Sequence, residues 1–184
     1  LETRIHAFCR RLAGYDVVAL QEVWHARERD ALRRAAARAG LRFSRHFAPG
    51  CGAPLLGAGS GGTGLMVLSR YCIVESIFQR FAVNGQPHKL SHADYLGAKG
   101  VGICRLATPA GAVDVYITHL HADGGRGSNG GGDEYMAHRV AQAWQLAQFV
   151  QLTAKSPLAM VLGDLNAAPG SVAAGLPRSV AGLR

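Results

Sequence analysis

Long hydrophobic runs, paired cysteines and a balancing supply of acid are all scarce in this chain. No apolar stretch approaches the roughly 18 residues that a membrane-spanning helix needs, and the start shows no basic-then-apolar leader. The four cysteines, Cys9, Cys51, Cys72 and Cys104, are widely spaced and form no C-x-x-C pair. That spacing argues against a thiolate zinc site and against a dense disulfide framework. Free, buried thiols are expected instead, as in a reducing compartment. Asp and Glu total 12 against 20 Lys and Arg, which leaves a net charge of +8. An anionic partner fits this balance: nucleic acid, phospholipid headgroups or a phosphorylated small molecule. Much of the excess sits in Arg27, Arg29, Arg33, Arg34, Arg38, Arg42 and Arg45, which form either a solvated helix face or a binding face.

Apolar residues, by contrast, are plentiful. Hydrophobic residues make up 48% of the 184, which predicts one domain with a substantial core and argues against disorder. Helical spacing of Ile5, Phe8, Cys9 and Leu12 predicts a helix over Leu1 to Gly14, and the Ala- and Arg-rich Arg27 to Gly40 predicts another. Glu134 to Thr153 is the longest helix candidate. Strands are expected at Val17 to Gln21, Gly64 to Ser69, Ile73 to Val83, Gly100 to Leu106, Val113 to His119 and Leu158 to Leu162. Pro109-Ala110-Gly111 supplies a hairpin turn between the fourth and fifth of these. Pro49 to Gly62 and Gly124 to Gly132 read as loops. Strands joined by turns and mixed with two or three helices predict an α/β layered sandwich, not a regular βαβ repeat. The chain opens inside an expected helix, without an initiator Met, and stops soon after Pro177, so it reads as a piece of a longer protein.

Three apolar runs end in polar tips. The first, Val17-Val18-Ala19-Leu20-Gln21, delivers Glu22. A carboxylate leaving a dry strand needs a cation or donors to meet, and a hard divalent ion such as Mg²⁺ takes one or two carboxylates and keeps several waters. A strand-end salt bridge is the plainer alternative. The second run carries His119 and His121, on one face with Val113, Val115 and Ile117 by alternation. Such a histidine suits general acid chemistry or charge stabilisation at a phosphoryl oxygen, two at i and i+2 suit a transition metal, and simple hydrogen bonding is the third option. The third run, Leu158 to Leu162, ends in Gly163 and then Asp164 and Asn166, which would share a strand face. Converging at one rim, these tips would equip a site for hydrolysing a phosphate diester with one Mg²⁺.

The glycine loops carry less. Gly57-x-Gly59-x-x-Gly62 matches a dinucleotide fingerprint in letters, but it follows a loop and precedes a strand. Gly124 to Gly132 lacks the Gly-Lys-Ser/Thr of a P-loop. Glu134 and His138, at i and i+4, fit a surface hydrogen bond better than a metal site.

The strings Leu20-Gln21-Glu22-Val23-Trp24, Gly64-Leu65-Met66-Val67-Leu68-Ser69-Arg70, Thr118-His119-Leu120 and Gly163-Asp164-Leu165-Asn166 resemble the endonuclease/exonuclease/phosphatase superfamily. They run in that family's order and cover most of the chain. Thr118 to Ala122, Ala137 to Trp144 and Ser91 to Gly102 are similar to its neutral sphingomyelinase branch. The resemblance implies a four-layered α/β/β/α sandwich of the deoxyribonuclease I-like type, incomplete at both ends, in a single catalytic-domain fragment over residues 1–184. It implies Mg²⁺ on Glu22, with His119, Asp164 and Asn166 as catalytic groups around the scissile phosphate. Asp94 and Lys99 match an acid-lysine pair that switches the site, so Asp94 is a regulatory candidate. Lys99 is a substrate-binding candidate, a surface salt bridge being the alternative, and Asn84 is a second substrate candidate. Two family features have no counterpart here: a first strand bearing a metal-positioning Asn before Leu1, and a terminal Asp-His tip whose His is the general base. Cys72 stands where relatives often carry Pro.

The expected activity of the parent protein is Mg²⁺-dependent hydrolysis of sphingomyelin, or a related phosphocholine lipid, to ceramide and phosphocholine. The 184-residue piece by itself is expected to be weak or inactive. The basic helix adds an anionic membrane surface as a partner, with membrane association on the cytoplasmic side favoured over secretion. A Mg²⁺-dependent nuclease on the same fold, using the basic helix on a DNA backbone, is the alternative. A catalytically dead scaffold that binds anionic membrane is a third.

Overall fold

The computed structural model describes residues 8, 11–12, 14–48, 62–84, 98–122, 133 and 135–183. Two sheets form. The smaller holds β1 (Val17–Leu20), β2 (Phe43–His46) and β3 (Met66–Ser69) in the order β1-β3-β2, all antiparallel. The larger holds β4 (Cys72–Arg80), β5 (Gly100–Thr108), β6 (Gly111–His119) and β7 (Leu158–Asp164) in sequence order. Antiparallel pairing runs through β4, β5 and β6, and β7 then joins β6 in parallel, with His119 opposite Asp164. A parallel neighbour needs a long crossover, and α2 (Met136–Thr153) provides it. Helix α1 (Ala26–Arg38) follows β1, and α3 (Val172–Ala181) follows β7.

Three apolar layers fix the order of these elements. Phe47, Leu65 and Val67 from the small sheet meet Cys104, Leu106, Val115 and Ile117 from the large one. Ala36 of α1 and Leu41 cover the small sheet's other face through Met66 and Leu68. Leu146 and Phe149 of α2, with Ala173 of α3, cover the large sheet through Val101, Ile103 and Tyr116. Helix, sheet, sheet and helices stack as an α/β/β/α sandwich of the deoxyribonuclease I-like type.

The predicted strands and the two internal helices are present with shifted ends. Two elements have no counterpart in the sequence reading, β2 and α3. Of the opening helix, Phe8, Arg11 and Leu12 are described and helical. The thiol expectation holds for Cys104, free and buried with its pKa pushed up to about 12 by burial, but not for Cys72, which is free and exposed on β4. Cys9 and Cys51 lie outside the described residues. Among those residues no helix is long and apolar enough to cross a membrane.

Candidate active site

Strands β1, β6 and β7 all run toward one rim, and the first two bring their tips together across the gap between the sheets. His119 Nδ1 lies 3.5 Å from Glu22 Oε1. Asp164 stands beside His119 because the β6–β7 register makes them partners. Gly163 makes that approach possible. A Cβ placed there would sit 2.1 Å from the Thr118 carbonyl oxygen, and its φ of 150° disfavours other residues.

Among the described residues, the non-glycine positions with positive φ are Glu22, at 61°, and Asn166, at 47°. Both are site candidates, and unfavourable backbone of this kind persists only where surroundings fix it. For Glu22 the surroundings are visible: Val23 N donates to Gly64 O at 3.0 Å and Trp24 Nε1 donates to Glu22 Oε2 at 3.3 Å. For Asn166 they correct an expectation. Strand β7 ends at Asp164, so the pair does not share a strand face. Asn166 N instead donates to Asp164 Oδ1 at 2.8 Å, and Asn166 Nδ2 donates to Leu120 O at 2.9 Å. This Asx turn ties the β7 tip to the β6 exit.

His121 departs from its expected place as well. The chain leaves β6 after His119, and His121 turns back under α2, almost fully buried and stacked on Tyr135 with ring centres 4.0 Å apart. It does not share a face with His119. Among the described residues no three His, Cys, Asp or Glu side chains gather as metal ligands, so no imidazole cage for a transition metal forms there. Lys99 is also buried, and its Nζ donates to Leu120 O at 3.3 Å. Asn84, at the exit of β4, donates from Nδ2 to Phe81 O, while its buried Oδ1 meets no partner among the described residues. Asp94 and Glu134 lie outside the described residues.

Glu22 suits a hard divalent ion. Its side chain is 59% exposed at the rim, with Trp24 Nε1 donating to Oε2 at 3.3 Å and His119 Nδ1 3.5 Å from Oε1. On the small-sheet side, burial and then the charges of Arg29 and Arg45 push the pKa of His46 down, so that imidazole is neutral near pH 7. Sequence reasoning gave no role to Arg139 and Gln142, which clamp the β6 exit. Arg139 is the single charged residue of a helix otherwise built from Ala, Leu, Val, Met, Gln, Thr, His and aromatics. It and Gln142 are both buried at i and i+3. Polar groups on a helix's inward stripe were the available signal.

A deoxyribonuclease I-like sandwich with acid, imidazole and amide at one rim is the class that fold and site define together. The chain belongs to the Endonuclease/Exonuclease/phosphatase family, whose profile matches residues 1–183. It is 41% identical over 172 residues to the "Putative neutral sphingomyelinase" of Drosophila melanogaster, covering 92% of this chain and 36% of that protein. It is 35% identical over 175 residues to sphingomyelin phosphodiesterase 2 of Rattus norvegicus, covering 94% and 38%. The chain thus spans little more than a third of the length of these relatives. In fold it is similar to sphingomyelinase C of Streptomyces griseocarneus, with a TM-score of 0.73 at 24% identity, covering 98% of this chain and 62% of that one. It is also similar to the beta toxin of Staphylococcus aureus with bound magnesium ions, with a TM-score of 0.73 at 19% identity, covering 98% and 62%.

Proposed function

We propose that the protein carrying this chain hydrolyses sphingomyelin, or a closely related phosphocholine lipid, to ceramide and phosphocholine with Mg²⁺. The observation that carries the reading is the meeting of Glu22 and His119 at 3.5 Å across two sheets, with Asp164 beside His119. The names of the similar proteins add the substrate class. Glu22 would hold the Mg²⁺, since one exposed carboxylate and bound waters satisfy that ion. Bound there, Mg²⁺ supplies positive charge to the phosphoryl oxygens as negative charge builds on them. His119 donates a hydrogen bond to a phosphoryl oxygen in the transition state. Asp164 accepts from the attacking water and orients it, and Asn166 holds that carboxylate and the β6 exit in register. Lys99 and Asn84 are the candidates to contact the lipid phosphate once the buried Lys99 is released from Leu120 O, and Asp94 is the regulatory candidate.

The lipid itself brings the protein to a membrane, and the arginines of α1 favour an anionic one. The test is release of phosphocholine from sphingomyelin micelles by the full-length protein with Mg²⁺. Turnover that stops on chelation, and falls by about 10²-fold or more in Glu22→Gln and His119→Ala, is the expected result. No release of phosphocholine ends this reading. Plasmid nicking lost in Glu22→Gln would replace it with a nuclease.

A further inference from the structure

We infer that Gln142, in the middle of a helix and away from the reacting atoms, is a positioning residue for this reaction; the inference rests on the phosphodiesterase reading above. Its side chain is wholly buried, and both ends of the amide are used. Oε1 accepts from His121 N at 2.9 Å, and Nε2 donates to Val83 O at 2.9 Å. The two partners are backbone groups of fixed polarity, so the amide has a single satisfactory orientation. One neutral group therefore ties the exit of β6 to the exit of β4. His119 sits two residues before the first tie, and Asn84 one residue after the second.

Neighbours on the same helix face act alongside it. Arg139 Nη1 donates to His121 O at 3.3 Å, and Gln145 Oε1 accepts from Ala82 N at 2.8 Å. Arg139 is itself anchored by an ion pair with Asp133. From the opposite side, Leu120 N donates to Asp164 O at 2.9 Å, while Leu120 O accepts from Lys99 and Asn166. Every backbone polar group of Leu120 and His121 is thus held, half by the β7 tip and its neighbour Lys99, half by α2. Past Leu120 N, which still bonds the Asp164 carbonyl, the strand has ended, and side chains hold the remaining backbone groups of this exit. Gln142 bonds both rim exits at once, and it decides where the His119 ring stands relative to Glu22 and Asp164.

A purely structural role would lower stability and add its effect to that of any other substitution. A positioning role makes the effect conditional on His119. The experiment measures phosphocholine release from sphingomyelin micelles by full-length protein with Mg²⁺, for the wild type, Gln142→Met, His119→Ala and the double variant. Gln142→Met keeps the volume and loses both bonds. It is expected to lower kcat by about 10²-fold, as a displacement near 1 Å does, with KM changed by less than about twofold. On the His119→Ala background it should lower kcat by less than about threefold, since coupled groups are not additive.

Gln142→Glu supplies a second reading should the Met variant fail to fold. A neutral carboxyl retains both a donor and an acceptor, and burial raises its pKa. Its kcat should therefore fall as pH rises, along a limb the wild type lacks. Equal fold-losses from Gln142→Met with and without His119, or a Gln142→Glu profile parallel to wild type, would overturn the positioning role while leaving the function intact. A wild type that releases no phosphocholine overturns both.

Discussion

Gly163 and Asp114 show how single residues set this site without touching substrate. At Gly163 a methyl group would collide with the Thr118 carbonyl at 2.1 Å, so Gly163→Ala is expected to cost at least about 2 kcal/mol. Urea unfolding would show it, and a variant as stable as wild type would mean that β6 and β7 have room to part. Asp114 is fully buried at the base of β6. It accepts from Arg105 Nε at 2.7 Å, Lys155 N at 2.7 Å, and Ser156 N and Oγ at 3.0 and 2.9 Å. Burial pushes its pKa up, but these hydrogen bonds outweigh that effect and hold it below the ordinary carboxylate value. A depressed carboxylate contributes its stability above the unfolded pKa of about 4 and loses it as pH falls through the folded value. The wild-type urea midpoint should drop steeply below about pH 4. Asp114→Asn should be less stable by about 3 kcal/mol at pH 7, with a flatter profile. His119 and Asp164 were legible as strand tips, and Glu22 and Asn166 as polar residues two positions past a strand end, because polar residues following apolar runs are local signals. The left-handed turns at Glu22 and Asn166 were not, since contacts from Gly64 and Leu120 impose them.

Elements were legible where one period dominated. β1, β3, β5, β6 and β7 are apolar runs, and α1 and α2 are long. β2 is a four-residue strand of Phe43, Ser44, Arg45 and His46, too short and polar to stand out, and it exists because β3 offers it a partner. α3 was hidden by Gly175 and Pro177 inside it, although Ser171 caps its start by accepting from Ala174 N and Gly182 ends it with φ 67°. Its apolar face packs on α2, and Gln151 Nε2 donates to Val180 O across that contact. Among the described residues β1 and β7 each pair on one side only. A groove of about 340 Å³ runs beside β7 past Ala159, Val161 and Pro177. Another of about 550 Å³ lies between β1 and β7, at Leu12, Val18 and Leu162. Open strand edges template association, so the 184-residue chain should self-associate as its concentration rises. Leu158→Lys, at a residue 53% exposed at the start of β7, should raise the monomer fraction in sedimentation. No change would place the contact elsewhere.

Across the whole molecule, charge and chemistry point in different directions. Arg27, Arg34 and Arg38 are exposed at i, i+7 and i+11 of α1, one line down its outer side, while Arg33 is paired with Asp30 at 3.6 Å. The line starts five residues after Glu22 in the chain and ends near Gly40, which lies against Arg70 at the opposite end of the strands. If the rim faces an anionic bilayer, Arg27 meets it and Arg38 does not. Arg27→Gln should then weaken binding to phosphatidylserine vesicles by about 1 kcal/mol and Arg38→Gln should leave it unchanged. Equal losses would mean that the molecule docks on its side. The stacking of layers was expected from resemblance, whereas the wiring of the rim was not readable, because it depends on residues 21 to 59 positions apart. The Asp114 clamp has a further consequence. It grips Lys155 and Ser156 at the base of β7, while Thr118 meets Gly163 at the rim. The strand between them is a ruler of fixed length, and its alternation admits no change of one. A single-residue insertion or deletion anywhere from Pro157 to Leu162 would turn Asp164 to the wrong face of the sheet, so natural length variation in this protein should never fall there.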